Sequence, residues 1–204
     1  MLDRYRKKVD WLFEPIARKT SIGANTLTYI SLIFALLASI SFYFSYEHHY
    51  LLFLASFMVL MNGFLDALDG KVARLRNEAS PKGDFIDHSI DRFADALIVG
   101  GLAASPWCDP LVGIVAVAAM LLTSYMGTQA QAVGYGREYG GLLGRADRLA
   151  ILIFAPLLQY FLLGAGNEIF GYSFLQWVMV YFAVVGIATA VQRFAAVLRW
   201  FRRR

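Results

Sequence analysis

Long apolar runs alternate with short polar ones along the whole chain. Six runs lie at 26–45, 51–75, 84–106, 110–134, 147–166 and 172–197. Each holds about 20 residues, the length that crosses ~30 Å of hydrocarbon as a helix. The pattern predicts an all-α integral membrane protein with six transmembrane helices. Ahead of them, Leu2, Tyr5, Val9, Leu12, Phe13 and Ile16 recur at helical spacing, with Arg4, Arg6, Lys7 and Lys8 between them. This predicts an amphipathic helix over 1–20 lying in the membrane interface. No cleavable signal peptide is expected, because these residues lack a short apolar core with a small-residue cleavage site. Pro81 and Gly83 give the one strong turn signal. Residues 1–204 thus read as a single membrane domain, with the bundle over 26–197.

Composition sharpens the picture. Hydrophobic residues make up 58% of the chain, against ~45–50% in soluble domains. Six such runs leave too little polar surface to cover a soluble helical core. Lys and Arg fall at 4, 6, 7, 8, 18 and 19, at 71, 74, 76, 82 and 92, at 137, 145 and 148, and at 193, 199 and 202–204. The other three connections contain none. With an even number of spans, this bias puts both termini and the positive connections in the cytoplasm, in a cytoplasmic membrane. The net charge of +4 is then the sum of cytoplasmic flanks that attract anionic headgroups, and it does not point to nucleic acid. Cys108 is alone, so no intrachain disulfide forms. Tyr and Trp near the span ends read as an interfacial belt. Gly100, Gly101, Gly164 and Gly186 read as sites of close helix packing.

One stretch breaks the apolar pattern: DALDGKVARLRNEASPKGDFIDHSIDRFAD, from Asp66 to Asp95. If the second span continues through it, Asp66, Asp69, Gly70, Ala73 and Arg74 lie within about 80° of one line. Asp87, Asp91 and Asp95 follow at i, i+4 and i+8 on the next helix, again on one face. His88 points about 100° away from Asp87 and is left out of that face. Unpaired carboxylates in a membrane helix are costly and mark function. They could be neutralised by Arg, by protons as in a coupled transporter, or by divalent cations. Arg74 and Arg92 are too few for all the acids. Oxygen-only ligands suit Mg²⁺, Mn²⁺ or Ca²⁺. Gly70 and Ala73 leave room beside the acids for a flat base with a phosphate chain. Metals and an Arg on one phosphate are recurring parts of phosphoryl chemistry. A cation path is the competing reading, but 110–130 and 150–190 hold no acid apart from Glu168.

The same residues resemble the CDP-alcohol phosphotransferase family. Its signature, D-x2-D-G-x2-A-R-x8-G-x3-D-x3-D, is matched by Asp66, Asp69, Gly70, Ala73, Arg74, Gly83, Asp87 and Asp91 with no position missing. The resemblance implies transfer of a phosphoryl-alcohol group from a CDP-linked donor to a hydroxyl, with release of CMP. It implies that Asp66, Asp69, Asp87 and Asp91 hold two divalent ions, Mg²⁺ or Mn²⁺. It implies that Asp66, Asp69, Gly70, Ala73, Arg74 and Gly83 bind the CDP moiety, and that Asp91 is the general base. A membrane-embedded chain suits a lipid donor, CDP-diacylglycerol or CDP-archaeol, whose tails stay among membrane lipids; a soluble CDP-polyol is the alternative. The family often forms homodimers. Asn25-Thr26 resembles a short polar signature common in it.

The acceptor is read from the connection SYMGTQAQAVGYGREYGGLLGRADRL, which is glycine-rich and carries Arg137, Arg145 and Arg148. Arg clusters suit a phosphate, so these three are expected to hold a phosphorylated polyol, glycerol phosphate or inositol phosphate, rather than serine. Asp91-Arg92-x2-Asp95 and GGLLGRADRL resemble the inositol-phosphate branch. That branch carries a Lys-x-Arg pair at the end of the fourth span, where Gly127 and Gln129 stand here, which leaves glycerol phosphate beside inositol phosphate.

Overall fold

The computed structural model describes residues 6–164 and 170–203, with side chains from Phe13 onward. Leu2, Arg4, Tyr5, Glu168 and Arg204, invoked above, lie outside the described residues. The chain folds as α1 (Arg6–Lys19), α2 (Ala24–Phe44), α3 (Leu51–Leu75), α4 (Pro81–Ala103), α5 (Pro110–Ala132), α6 (Arg145–Gly164) and α7 (Phe174–Phe201). Each apolar run is one helix of the bundle, and α1 is the expected N-terminal helix. Among the described residues, five helices are long and apolar enough to cross a membrane: α2, α3, α5, α6 and α7. The third run, α4, differs because Lys82, Asp84, Asp87, Asp91, Arg92 and Asp95 stand in its first four turns or so.

Local chemistry fixes several helix starts. Ser80 caps α4 by accepting from Gly83 N, with Pro81 at the first helical position. Asp109 caps α5 through Leu111 N and Val112 N. Ser173 caps α7 through Gln176 N. At α6, Asp147 Oδ2 accepts from Gly144 N at 2.9 Å. This start falls two residues before the expected one. It places Arg145 and Arg148 on the first turn of a helix rather than in a flexible connection, which spans only 133–144.

The helices pack in a definite order. α2 lies against both α3 and α4, α5 against α7 and α4, and α6 against α3 and α7. α3 and α4, expected to face each other as neighbours, meet directly at only a few positions. α2 fills the space beside both, so the two acidic faces look across a gap. Close approach is made by glycine at two of the expected sites. A Cβ on Gly101 would stand 2.5 Å from Ser39 O of α2, and one on Gly186 would stand 3.0 Å from Ala119 Cβ of α5. Gly100 and Gly164 do not act this way: a Cβ on either would meet nothing within 4 Å.

The buried core joins Phe42, Leu52, Ile98, Leu102, Met120 and Phe182 with small residues such as Ala35, Ala38 and Ala116. A smaller cluster under α1 joins Ala17, Leu27, Leu68 and Val72. α1 is tied to α3 by the Phe13–Phe64 ring contact and by Lys71 Nζ, 3.5 Å from Glu14 Oε2. At the end of the bundle away from the acids, Trp107 Nε1 donates to Ser45 Oγ at 2.8 Å, and Asp109 N donates to Gln176 Oε1 at 2.7 Å. Burial there pushes the Cys108 thiol up to about 11, with a further push from Asp109, so it stays protonated.

Candidate active site

The acids converge where the C-terminal end of α3 meets the N-terminal end of α4. Carboxylate oxygens of Asp66, Asp69 and Asp87 all lie within 4.8 Å of one another. Three like charges at that range repel strongly. The donor set is all oxygen, which fits a hard divalent cation such as Mg²⁺ or Mn²⁺. Asp69 is almost fully buried, and Thr28 Oγ1 of α2 donates to its Oδ2 at 2.5 Å. That bond fixes one carboxylate oxygen and orients the other. Thr28 is not singled out by the sequence, because it stands among other hydroxyls, Thr26 and Ser31, at the start of the same span.

Asp91 is outside the triad. Its Oδ1 lies 2.9 Å from Arg145 Nη2, while Arg145 Nη1 lies 2.7 Å from Asp66 Oδ2 and Arg145 Nε 3.2 Å from Asp95 Oδ1. Arg148 Nη2 reaches Asp95 Oδ2 at 2.8 Å, with both side chains 4% exposed. Arg92 Nη2 adds weaker contacts, 3.5 Å to Asp91 and 3.8 Å to Asp95. The acids therefore have two more cationic partners than Arg74 and Arg92. The reason is tertiary: the first turn of α6 returns beside α3 and α4. The three arginines expected together at the acceptor are separated, with Arg145 and Arg148 among the acids and Arg137 in the 133–144 connection.

Two cavities open beside the triad. One of about 420 Å³ is bordered by Asp69, Gly70, Ala73, Arg74, Gly83 and Asp87, together with Asn25, Thr26 and Thr28. Six of the eight signature positions thus share one cavity. Gly83 belongs to its wall, since a Cβ there would lie 3.7 Å from Asn25 Oδ1. The second, of about 440 Å³, shares Gly70, Arg74, Asp84 and Asp87 with the first and extends to His88, Gln131 and Arg137. His88 Nε2 lies 2.9 Å from Asp84 Oδ1 and touches Arg137.

The chain is 28% identical to the archaetidylinositol phosphate synthase of Methanothermobacter thermautotrophicus, over 95% of this chain and 92% of that one. It is 31% identical to the phosphatidylinositol phosphate synthase of Cutibacterium acnes, over 98% of both chains. The fold is that of the Mycobacterium tuberculosis phosphatidylinositol phosphate synthase. Its crystal structure with CDP-DAG bound aligns with a TM-score of 0.71 at 23% identity, over 91% of this chain and 92% of that one. Its complex with manganese and citrate aligns at 0.73 and 24% identity, over 91% and 88%. Residues 22–198, almost the whole described bundle, match the CDP-alcohol phosphatidyltransferase family, and the chain belongs to it.

Proposed function

We propose that this transferase moves a phosphatidyl or archaetidyl group from a CDP-lipid to a hydroxyl of a phosphorylated polyol, glycerol phosphate or inositol phosphate, and releases CMP. The observation that carries the reading is the triad of Asp66, Asp69 and Asp87 on the wall of a cavity holding Gly70, Ala73 and Arg74. A lipid donor is supported by relatives named as archaetidylinositol phosphate and phosphatidylinositol phosphate synthases and by the apolar helices α2, α3, α5, α6 and α7, which keep acyl or isoprenoid chains within reach. In this reading α4 is the sixth span. Its charged half lies at the end where Lys and Arg concentrate, and the positive bias puts that end, the site and both termini in the cytoplasm. Homodimerisation is part of the proposal on the resemblance alone.

Asp66, Asp69 and Asp87, with Asp91, would hold two divalent ions, Mg²⁺ or Mn²⁺. Bound there, the ions neutralise charge on the pyrophosphate and on the departing CMP. The chain's own groups do the rest. Gly70 and Ala73 leave space for the nucleoside, and Arg74, on the same wall, pairs with donor phosphate. The acceptor oxygen forms a new bond to the lipid-bearing phosphorus. The bond from that phosphorus to the bridging oxygen breaks, and CMP leaves with that oxygen and its electron pair. Asp91 takes the acceptor's proton. Its contact with Arg145 holds the carboxylate in place.

The test is CMP release from CDP-diacylglycerol and from CDP-archaeol, with Mg²⁺ or Mn²⁺, in the presence of glycerol phosphate, inositol phosphate or serine. Wild type is expected to release CMP with a phosphorylated polyol, and D69N, D87N and D91N to release none. Equal release by wild type and these variants would sink the assignment.

A further inference from the structure

We infer that the cavity of about 830 Å³ at the end of the bundle away from the acids is a second binding site, one that takes a neutral polyhydroxylated ring such as a sugar. It shares no residue with the cavities beside the triad, and it stands independently of the transferase reading.

The α2–α3 and α4–α5 connections, the last turns of α6 and the start of α7 meet there. Gln159 and Leu163 stand one turn apart on one face of α6, and both border the cavity. Gln176 borders it from the first turn of α7. A buried carboxamide is costly unless its polar atoms are paired, and each of these is paired on one side. Gln159 is 2% exposed, and its Oε1 accepts from Leu175 N at 3.1 Å. Gln176 is 6% exposed, and its Oε1 accepts from Asp109 N at 2.7 Å. A backbone N–H only donates, so both carboxamides must turn their oxygen toward the backbone. That leaves the Nε2 group of each, with two protons to donate. Neither donates to a partner among the described residues, and both residues line the opening.

Two fixed, buried donors require oxygen acceptors on the ligand. An anion is disfavoured, because the described lining holds no Lys or Arg and does hold the Asp109 carboxylate. Asp109 Oδ1 is engaged in capping α5, which leaves Oδ2 to accept from a hydroxyl. Since a hydroxyl both accepts and donates, the hydroxyls of one ring can satisfy the carboxamides and Asp109 together. The apolar parts of the ring meet Trp107, Leu163 and Tyr172 on the same lining. Trp107 is a firm wall, with Nε1 bonded to Ser45 Oγ and its ring edge-on to Tyr46 at 4.9 Å. A mostly apolar wall with a few placed polar groups is the usual make-up of a small-molecule site, and such sites measure ~300–1,000 Å³. A quaternary ammonium would use the rings and Asp109 but would leave the Nε2 protons unmet. This end of a membrane-crossing bundle stands among lipid headgroups, so the ring belongs either to a glycolipid or to a free sugar.

The test uses the full chain in a polyoxyethylene detergent, which carries no sugar. Methyl glycosides of glucose, galactose and mannose are titrated as free rings, and monoglycosyl-diacylglycerols of the same sugars as headgroups. Choline chloride represents the competing chemistry. Binding is followed by tryptophan fluorescence and saturation-transfer NMR. At least one ring should bind saturably and more tightly than choline. Q159M and Q176M should each weaken that binding at least about twofold, the loss of a neutral hydrogen bond. D87N, at the opposite end, should bind within about twofold of wild type, because its residue borders only the other cavities. Tighter binding of the glycolipid than of its methyl glycoside assigns the site to a membrane headgroup, and equal binding assigns it to a free sugar. The inference is overturned if no ring binds saturably, if choline binds more tightly than every ring, if D87N loses the binding, or if either glutamine variant keeps the wild-type affinity. Where a glutamine variant lowers the thermal midpoint, D109N decides in its place. Asn keeps the α5 cap and removes the charged acceptor, so unchanged affinity in D109N overturns the inference.

Discussion

The two ends of the bundle solve the problem of buried polar groups in opposite ways. At the end away from the acids, neutral groups pair one to one: Trp107 with Ser45, Ser173 with the Trp107 carbonyl, and Gln176 with Asp109 N. At the acidic end, charges meet in a shared network in which Arg145 alone serves Asp66, Asp91 and Asp95. Among the described residues, the buried side-chain atoms without a hydrogen bond are Asn62 Oδ1, His88 Nδ1, Arg92 Nε and Arg148 Nε. All four belong to the acidic half. One-to-one pairing stabilises one conformation, whereas unmet polar valence is tolerated where a ligand is to be bound.

The contrast can be broken first at Arg148. Removing one partner of a buried ion pair costs ~3–5 kcal/mol. R148L should fall at the low end, about 3 kcal/mol, because Arg145 Nε remains 3.2 Å from Asp95. Chemical denaturation in detergent measures it, and the double variant R148L/D95L should recover much of the loss. Next comes Thr28, whose hydroxyl acts on a candidate metal ligand. T28V should weaken Mn²⁺ binding by ~10–100-fold while T28S keeps it, as read by calorimetric titration. Equal affinity in both variants would reduce Thr28 to a packing residue. The smallest effect is expected at the neutral end. W107F removes one hydrogen bond and should cost ~0.5–1.5 kcal/mol, with CMP release at the wild-type rate.

What sequence alone could reveal divides along the same line. Helix positions were legible because apolar run length and the turn signal of Pro81 and Gly83 are local. The acids of the triad were legible because helical spacing places them on common faces. Partners that arrive from distant elements were not. Arg145 reaches Asp66 across 79 positions of sequence and Thr28 reaches Asp69 across 41, and no periodicity encodes such meetings. That α3 and α4 meet at few positions, each packing instead on α2, was hidden for the same reason. Gly100 and Gly164 misled because glycine in a span fits close packing and open space equally well, and only the neighbours decide.

The wedging of α2 beside both acidic helices has a mechanical consequence. The opening between the carboxylates is set by a third body that contributes no acid, so its calibre can be adjusted from a distance. Gly101 rests on the backbone of Ser39, about four helical turns along α2 from Ala24 at the cavity mouth. A single methyl added there would act as a shim, prying α4 from α2 and changing the span between Asp87 and Asp69 without touching either. A contact about four turns away along α2 thus bears on the spacing of the acids while every signature residue stays as it is.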